Sequence, residues 1–66
     1  MEVMINGAPR EVPDLTSLEL AVSLISTSAT GIAVAVNGDV VRRASWAQHL
    51  LAPGDEIEVL TAVQGG

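Results

Sequence analysis

Cysteine and lysine are both missing from this 66-residue chain, as are phenylalanine and tyrosine. Without cysteine there can be no disulfide, thiolate metal ligand, iron–sulfur ligand or cysteine nucleophile. Small secreted domains generally lean on such cross-links, so their absence points to the cytoplasm. Positive charge is scarce too: Arg10, Arg42 and Arg43 stand against eight acids, for a formal charge of −5. No basic stripe exists, and Trp46 is the single aromatic. Neither phosphate neutralisation nor base stacking has the residues it needs, which argues against a nucleic-acid partner. The longest apolar run, Ile32 to Val36, falls far short of the roughly 20 residues that cross a bilayer, so no membrane role is expected. Met1-Glu2 opens the chain without a basic segment and apolar run, so no signal peptide is expected either.

What is present is apolar and compact. Hydrophobic residues make up 48% and charged residues 17%, a composition that excludes a disordered tail. Ordering costs of roughly 1.5 kcal/mol per residue nearly cancel burial in so small a chain, so every element has to share one core. A single domain over residues 1–66 is expected, with 63–66 as a flexible carboxyl-terminal tail.

Turn signals divide the chain. Glu2 to Asn6 sets Val3 and Ile5 on one face of a strand, and Asn6-Gly7 supplies a hairpin turn. Arg10 to Val12 returns, halted by Pro13, which has no ladder donor. Thr16 and Glu19 have capping-box spacing, with Leu15 and Leu20 placed for a hydrophobic staple. Leu18, Ala21, Val22 and Ile25 then form one apolar stripe, predicting a helix over about 17–26 that exits through Ser26-Thr27-Ser28 and Gly31. Ile32 to Val36 is apolar on both faces. Asn37-Gly38 turns it back through Val40 and Val41, and Arg42-Arg43 form a solvated strand end. Residues 45–51 suit a short helical turn with Trp46 and Leu50 on one side, and Ala52 to Asp55 is a turn. In the last strand, from Glu56 to Val63, Ile57, Val59, Thr61 and Val63 share one face. Glu56, Glu58, Leu60 and Ala62 share the other.

One helix across a mixed sheet of four or five strands is an α+β arrangement. The order hairpin, helix, hairpin, helical turn, strand suits a ubiquitin-like β-grasp with the last strand lying centrally. Straight after that strand come Gln64, Gly65 and Gly66. Two glycines without side chains let a partner enclose the backbone and approach the terminal carboxylate from either face. Beside them the outer face of the last strand passes from acidic, at Glu56 and Glu58, to apolar, at Leu60 and Ala62. Such a patch fits a docking surface for a basic-rimmed partner, and equally a Leu60 that simply covers the sheet.

A search for catalytic machinery returns nothing. His49 is the only histidine and sits beside Leu50 and Leu51, as a half-buried packing residue would. Asp39, Asp55, Glu56 and Glu58 lack a histidine or cysteine at ligand spacing, so no metal site is expected. Ser26, Thr27 and Ser28 have no base. Trp46 suits a lid on the core. The chain is expected to be no enzyme but a protein on which chemistry is done.

These residues resemble the ThiS family of sulfur carriers over essentially the whole length. The resemblance is carried by Ile5-Asn6-Gly7, Thr16 with Leu18, Val34-Ala35-Val36-Asn37-Gly38-Asp39, and Arg43 with Trp46. Pro53-Gly54-Asp55, Glu58-Val59 and the ending Ala62-Val63-Gln64-Gly65-Gly66 complete it. Arg42 stands where members often have proline, and Ala44 where a polar residue is common. Both departures lie far in sequence from the ending.

The resemblance implies a ubiquitin-like β-grasp and a cycle on Gly66 in thiamine thiazole biosynthesis. A ThiF-like adenylyltransferase would use ATP and magnesium to adenylate the Gly66 carboxylate. A cysteine desulfurase or other persulfide donor would supply sulfur for a thiocarboxylate, and a ThiG-like thiazole synthase would receive it. The chain itself would bind no cofactor stably. Gly65 and Gln64 would be recognised as tail, and Leu60, Ala62, Val63 and Glu58 would meet the partner. Three other readings use the same ending. One is a small subunit of molybdopterin synthase, though those chains are usually longer. Another is a ubiquitin-like modifier, which without lysine could not form side-chain-linked polymers of itself. The third is an interaction module whose glycines are incidental.

Overall fold

A computed structural model describes residues 1–25 and 31–61. Its elements are β1 (Glu2–Ile5), β2 (Ala8–Glu11), α1 (Leu18–Ser23), β3 (Ile32–Val36), β4 (Asp39–Val40), a 3-10 turn (Arg43–Ser45) and β5 (Glu56–Thr61). The sheet order is β2-β1-β5-β3-β4, which puts the last strand in the middle. β1 and β5 run parallel, and the β1–β2, β3–β4 and β3–β5 pairs are antiparallel. The expected α+β, β-grasp arrangement is the one observed.

Both hairpins turn through Asn-Gly, with φ of 51° and 82° at Asn6-Gly7 and of 51° and 87° at Asn37-Gly38. Positive φ at both central residues matches the right-handed twist of the flanking strands and favours this dipeptide. A Cβ at Gly7 or Gly38 would meet nothing within 4 Å, so backbone conformation, not space, calls for glycine there. β2 begins earlier than expected and includes Pro9. Val12 and Met1 exchange hydrogen bonds across the hairpin. Alternation along the strand therefore points Pro9 outward, to the free edge, where no donor is required.

The core forms between one face of the sheet and the helix. Val3, Ile5, Val34, Val36 and Ile57 come from strands, Leu18, Ala21 and Val22 from α1, and Val12, Trp46 and Leu51 close the flanks. Leu18 and Val3 are completely covered. Trp46 is the lid that the sequence indicated, its indole nitrogen donating to the Val41 carbonyl at 2.9 Å.

Several local expectations are corrected. Ser17 is the helix N-cap, accepting from the Leu20 amide at 3.2 Å, so Thr16 and Glu19 form no capping box. Thr16 is instead buried, its hydroxyl donating to the Pro13 carbonyl at 2.6 Å. Its carbonyl also accepts from the Leu51 amide, which ties residues 16–18 to 49–51 through the Ser17–Leu50 bridge. The staple is absent as well. Leu15 has φ 65° and is 72% exposed, and Leu20 is 59% exposed. A left-handed backbone at a leucine costs roughly 1–2 kcal/mol and turns its side chain away from the helix here.

The helix ends sooner than periodicity indicated, and Ile25 is exposed while the rest of its stripe is buried. Ser26-Thr27-Ser28 lie outside the described residues. The second helical turn comes earlier in the chain, at Arg43–Ser45. Leu50, in the bridge to Ser17, is exposed and so shares no face with Trp46.

Candidate functional site

β5 carries the candidate surface because its residues alternate across the sheet. Ile57 is buried and Val59 half-buried on the helix side, while Glu56, Glu58 and Leu60 are exposed on the other. Register extends that open face sideways. Leu60 lies opposite Ala33, Glu58 opposite Ala35, Ala35 opposite Val40, and Glu56 opposite Met4. Leu60 and Val40 are 64% and 76% exposed, so the strand end presents apolar surface to solvent. Leu60 therefore lies on the open face of the sheet.

Carboxylates gather toward the β1–β2 side of this face. Glu2 and Glu11 sit opposite each other on β1 and β2, on the same side as Glu56 and Glu58. Four of the chain's eight acids therefore share one face. Arg10 pairs with Val3, so it points to the opposite side. Like charges facing across a ladder repel. At Glu11 this is eased by the Met1 ammonium, 3.1 Å away. The hydrogen bond to Glu11 raises the pKa of that amine, against the opposing effect of its desolvation. An apolar strand end that follows Glu56 and Glu58 on one face suits a partner with its own apolar spot beside basic groups.

Ala62, Val63, Gln64, Gly65 and Gly66 lie outside the described residues, so the structure brings only Leu60 and Glu58 of the expected site into view. His49 is half-buried, as expected, with its carbonyl accepting from the Leu18 amide at 2.8 Å. Among the described residues no group of three or more histidines, cysteines or acids could hold a metal ion. No helix among them is long and apolar enough to cross a membrane.

Sequence reasoning missed the side chains that hold β5 in place. Asn37 Oδ1 accepts from the Glu56 amide at 2.9 Å, and Asn37 Nδ2 donates to Asp55 Oδ1 at 3.0 Å. Asp55 Oδ2 in turn accepts from the Ala52 amide at 2.8 Å. On the opposite side of the strand, Asn6 Oδ1 accepts from the Val59 amide at 2.8 Å. Each asparagine had been accounted for as a turn residue. The one hint of more is that both hairpins use asparagine where glycine or aspartate would also serve the backbone.

A five-stranded mixed sheet with its last strand central, one helix across it and an open acidic-apolar face defines a ubiquitin-like β-grasp protein. Comparison with known proteins narrows this. A sequence model of the ThiS family matches residues 3–66, and the chain belongs to that family. It is similar to the sulfur carrier protein ThiS of Escherichia coli K12, 26% identical over 66 residues that span both chains completely. It also resembles the crystal structure of the thiamine biosynthesis protein ThiS from Geobacter metallireducens. That match has a TM-score of 0.84 and 29% identity, with both chains fully covered. The solution structure of a thiamine biosynthesis protein from the same organism matches at a TM-score of 0.69 and 32% identity, over 100% of this chain and 88% of that one.

Proposed function

We propose that this chain is a cytoplasmic sulfur carrier of thiamine thiazole biosynthesis and that Gly66 is its reacting residue. The observation that carries this is the path of β5. The strand runs through the middle of the sheet, exposes Leu60 just past Glu56 and Glu58, and leads within five residues to Gly65-Gly66. Family membership agrees with it.

The chemistry follows from a terminal carboxylate. Charge shared over two oxygens makes it a poor electrophile, so it has to be activated. In the proposed cycle an adenylyltransferase partner brings ATP and magnesium, and a Gly66 oxygen attacks the α-phosphorus to expel pyrophosphate. The terminal sulfur of a persulfide then attacks the acyl carbon and displaces AMP. A second thiol cleaves the resulting acyl disulfide and leaves a thiocarboxylate, whose sulfur is nucleophilic enough to pass to a thiazole synthase. The persulfide would come from a cysteine desulfurase or similar donor. This chain contributes recognition: Leu60, Ala62, Val63 and Glu58 dock, and Gln64, Gly65 and Gly66 thread. Three extended residues reach about 10 Å, enough to enter a closed active site while the body stays outside.

Appending one alanine after Gly66 tests the reading. It moves the carboxylate about 3.5 Å onward and leaves the core untouched. Misplacing a reacting group by ~1 Å costs on the order of a hundredfold in rate. The extended chain should melt normally yet release no pyrophosphate from ATP with its adenylyltransferase, and Gly65→Val should fail alike. Release at the native rate from both variants would overturn the proposal.

A further inference from the structure

The Asn6 side chain does something a turn does not require. β1 donates to β5 from alternate residues, the Met4 amide to the Asp55 carbonyl and the Asn6 amide to the Ile57 carbonyl, each at 2.9 Å. A regular parallel ladder would continue with the Val59 amide donating to the carbonyl of residue 6. At Asn6 the chain has already entered the turn, with φ of 51°, and the last Cα pair is Ile5 with Ile57. Asn6 Oδ1 takes the vacated place and accepts from the Val59 amide at 2.8 Å, across 53 residues of sequence.

On its other side β5 pairs with β3 through Ala35–Glu58 and Ala33–Leu60. Amides alternate in direction along a strand, so the Leu60 amide faces β3 while that of Val59 faces Asn6. The amide side chain thus extends the β1 side of the ladder by one rung beyond the backbone.

We infer that Asn6 is a positioning residue for the reacting terminus, an inference that rests on the carrier reading above. By holding Val59 it fixes the last two-sided point of attachment of β5. From Val59 the terminus is seven residues away, a span of at most about 25 Å at ~3.3–3.6 Å per residue. A fixed origin at Val59 sets the point from which the terminus is presented once the body is docked. Losing it reduces the fraction of bound carriers whose carboxylate meets ATP and leaves the docking face intact. The effect therefore falls on kcat and spares KM.

Asn6→Gly keeps a backbone free to adopt positive φ but removes the acceptor. Asn6→Asp keeps an acceptor oxygen at the same position. Amide hydrogen exchange is followed at Val59, with Leu60 as internal reference, alongside pyrophosphate release with the adenylyltransferase over a range of carrier concentrations up to saturation. In Asn6→Gly the Val59 amide should exchange about tenfold faster relative to Leu60, and kcat should fall about tenfold at unchanged KM. Asn6→Asp should restore both. Unchanged Val59 exchange in Asn6→Gly, or wild-type kcat despite fast exchange, would overturn the inference. Failure of the wild-type chain to release pyrophosphate would overturn the carrier reading and the positioning role with it, while the exchange result would stand by itself.

Discussion

Leu18→Ala tests whether the helix is held by its packing face. The side chain is fully covered, between β-sheet residues such as Val3 and Ile57 and the flank closed by Trp46 and Leu51. Removing three buried carbons forfeits ~2.4 kcal/mol at ~0.8 kcal/mol per methylene, and the cavity left behind brings the expected loss to about 2–5 kcal/mol. A chain of this size has only about 3–10 kcal/mol of stability in total. Its unfolding entropy is ~0.14 kcal/mol/K, so a loss near 3 kcal/mol lowers Tm by about 20 °C. A helix of six residues has no means of compensating, because isolated helices so short do not persist in water. The assay is urea unfolding followed by Trp46 fluorescence, a clean reporter because this is the chain's only tryptophan and it is buried. Leu20→Ala, two residues on and 59% exposed, is the control and should change stability by less than about 0.5 kcal/mol. An unmoved midpoint for Leu18→Ala, or equal shifts for both variants, would refute the assignment of the helix face.

Leu60→Arg should leave the urea midpoint within about 0.5 kcal/mol of wild type, since the residue is exposed, while raising KM with the adenylyltransferase. Unfolding of that variant would make Leu60 a core residue and end its docking role. Ser17→Ala should cost about 1 kcal/mol through the lost cap, whereas Glu19→Ala should cost far less; the reverse order would reinstate the capping box. The Met1 ammonium has a raised pKa in the folded chain, so its contribution is complete below the ordinary value of 8.0 and is lost as pH rises through the folded value. Stability should therefore fall slightly as the pH climbs above about 8, and amino-terminal acetylation should abolish that slope. A slope that survives acetylation would place its origin elsewhere.

The sequence disclosed most where the determining interactions are local. Asn6-Gly7 and Asn37-Gly38 impose their turns through their own backbone preferences, and the alternation along β5 separates Ile57 from Glu58 and Leu60 without knowledge of any partner strand. The helix start was misplaced by one residue because Thr16 and Ser17 can both cap. Only the tertiary bond from the Leu51 amide to the Thr16 carbonyl draws Thr16 into the bridge and leaves the cap to Ser17. The clasps on β5 were illegible for a related reason. That Asn6 reaches Val59 depends on a register set by strands far apart in sequence. The body side of the candidate site, Glu58 and Leu60, followed from period-two alternation alone, whereas Val40 joined it only through the Ala35 pairing.

Putting the last strand at the centre of the sheet also governs how the molecule is made. Until β5 has been synthesised, β1 with β2 and β3 with β4 are separate hairpins with no strand to join them. Two-stranded hairpins are marginal alone, and the contacts that unite them span most of the chain, so folding must wait for β5 to leave the ribosome. A polypeptide cut short before Thr61 lacks part of its keystone and is left for the proteases that clear unfolded chains. In this architecture the acquisition of a folded body itself certifies that translation has passed through β5.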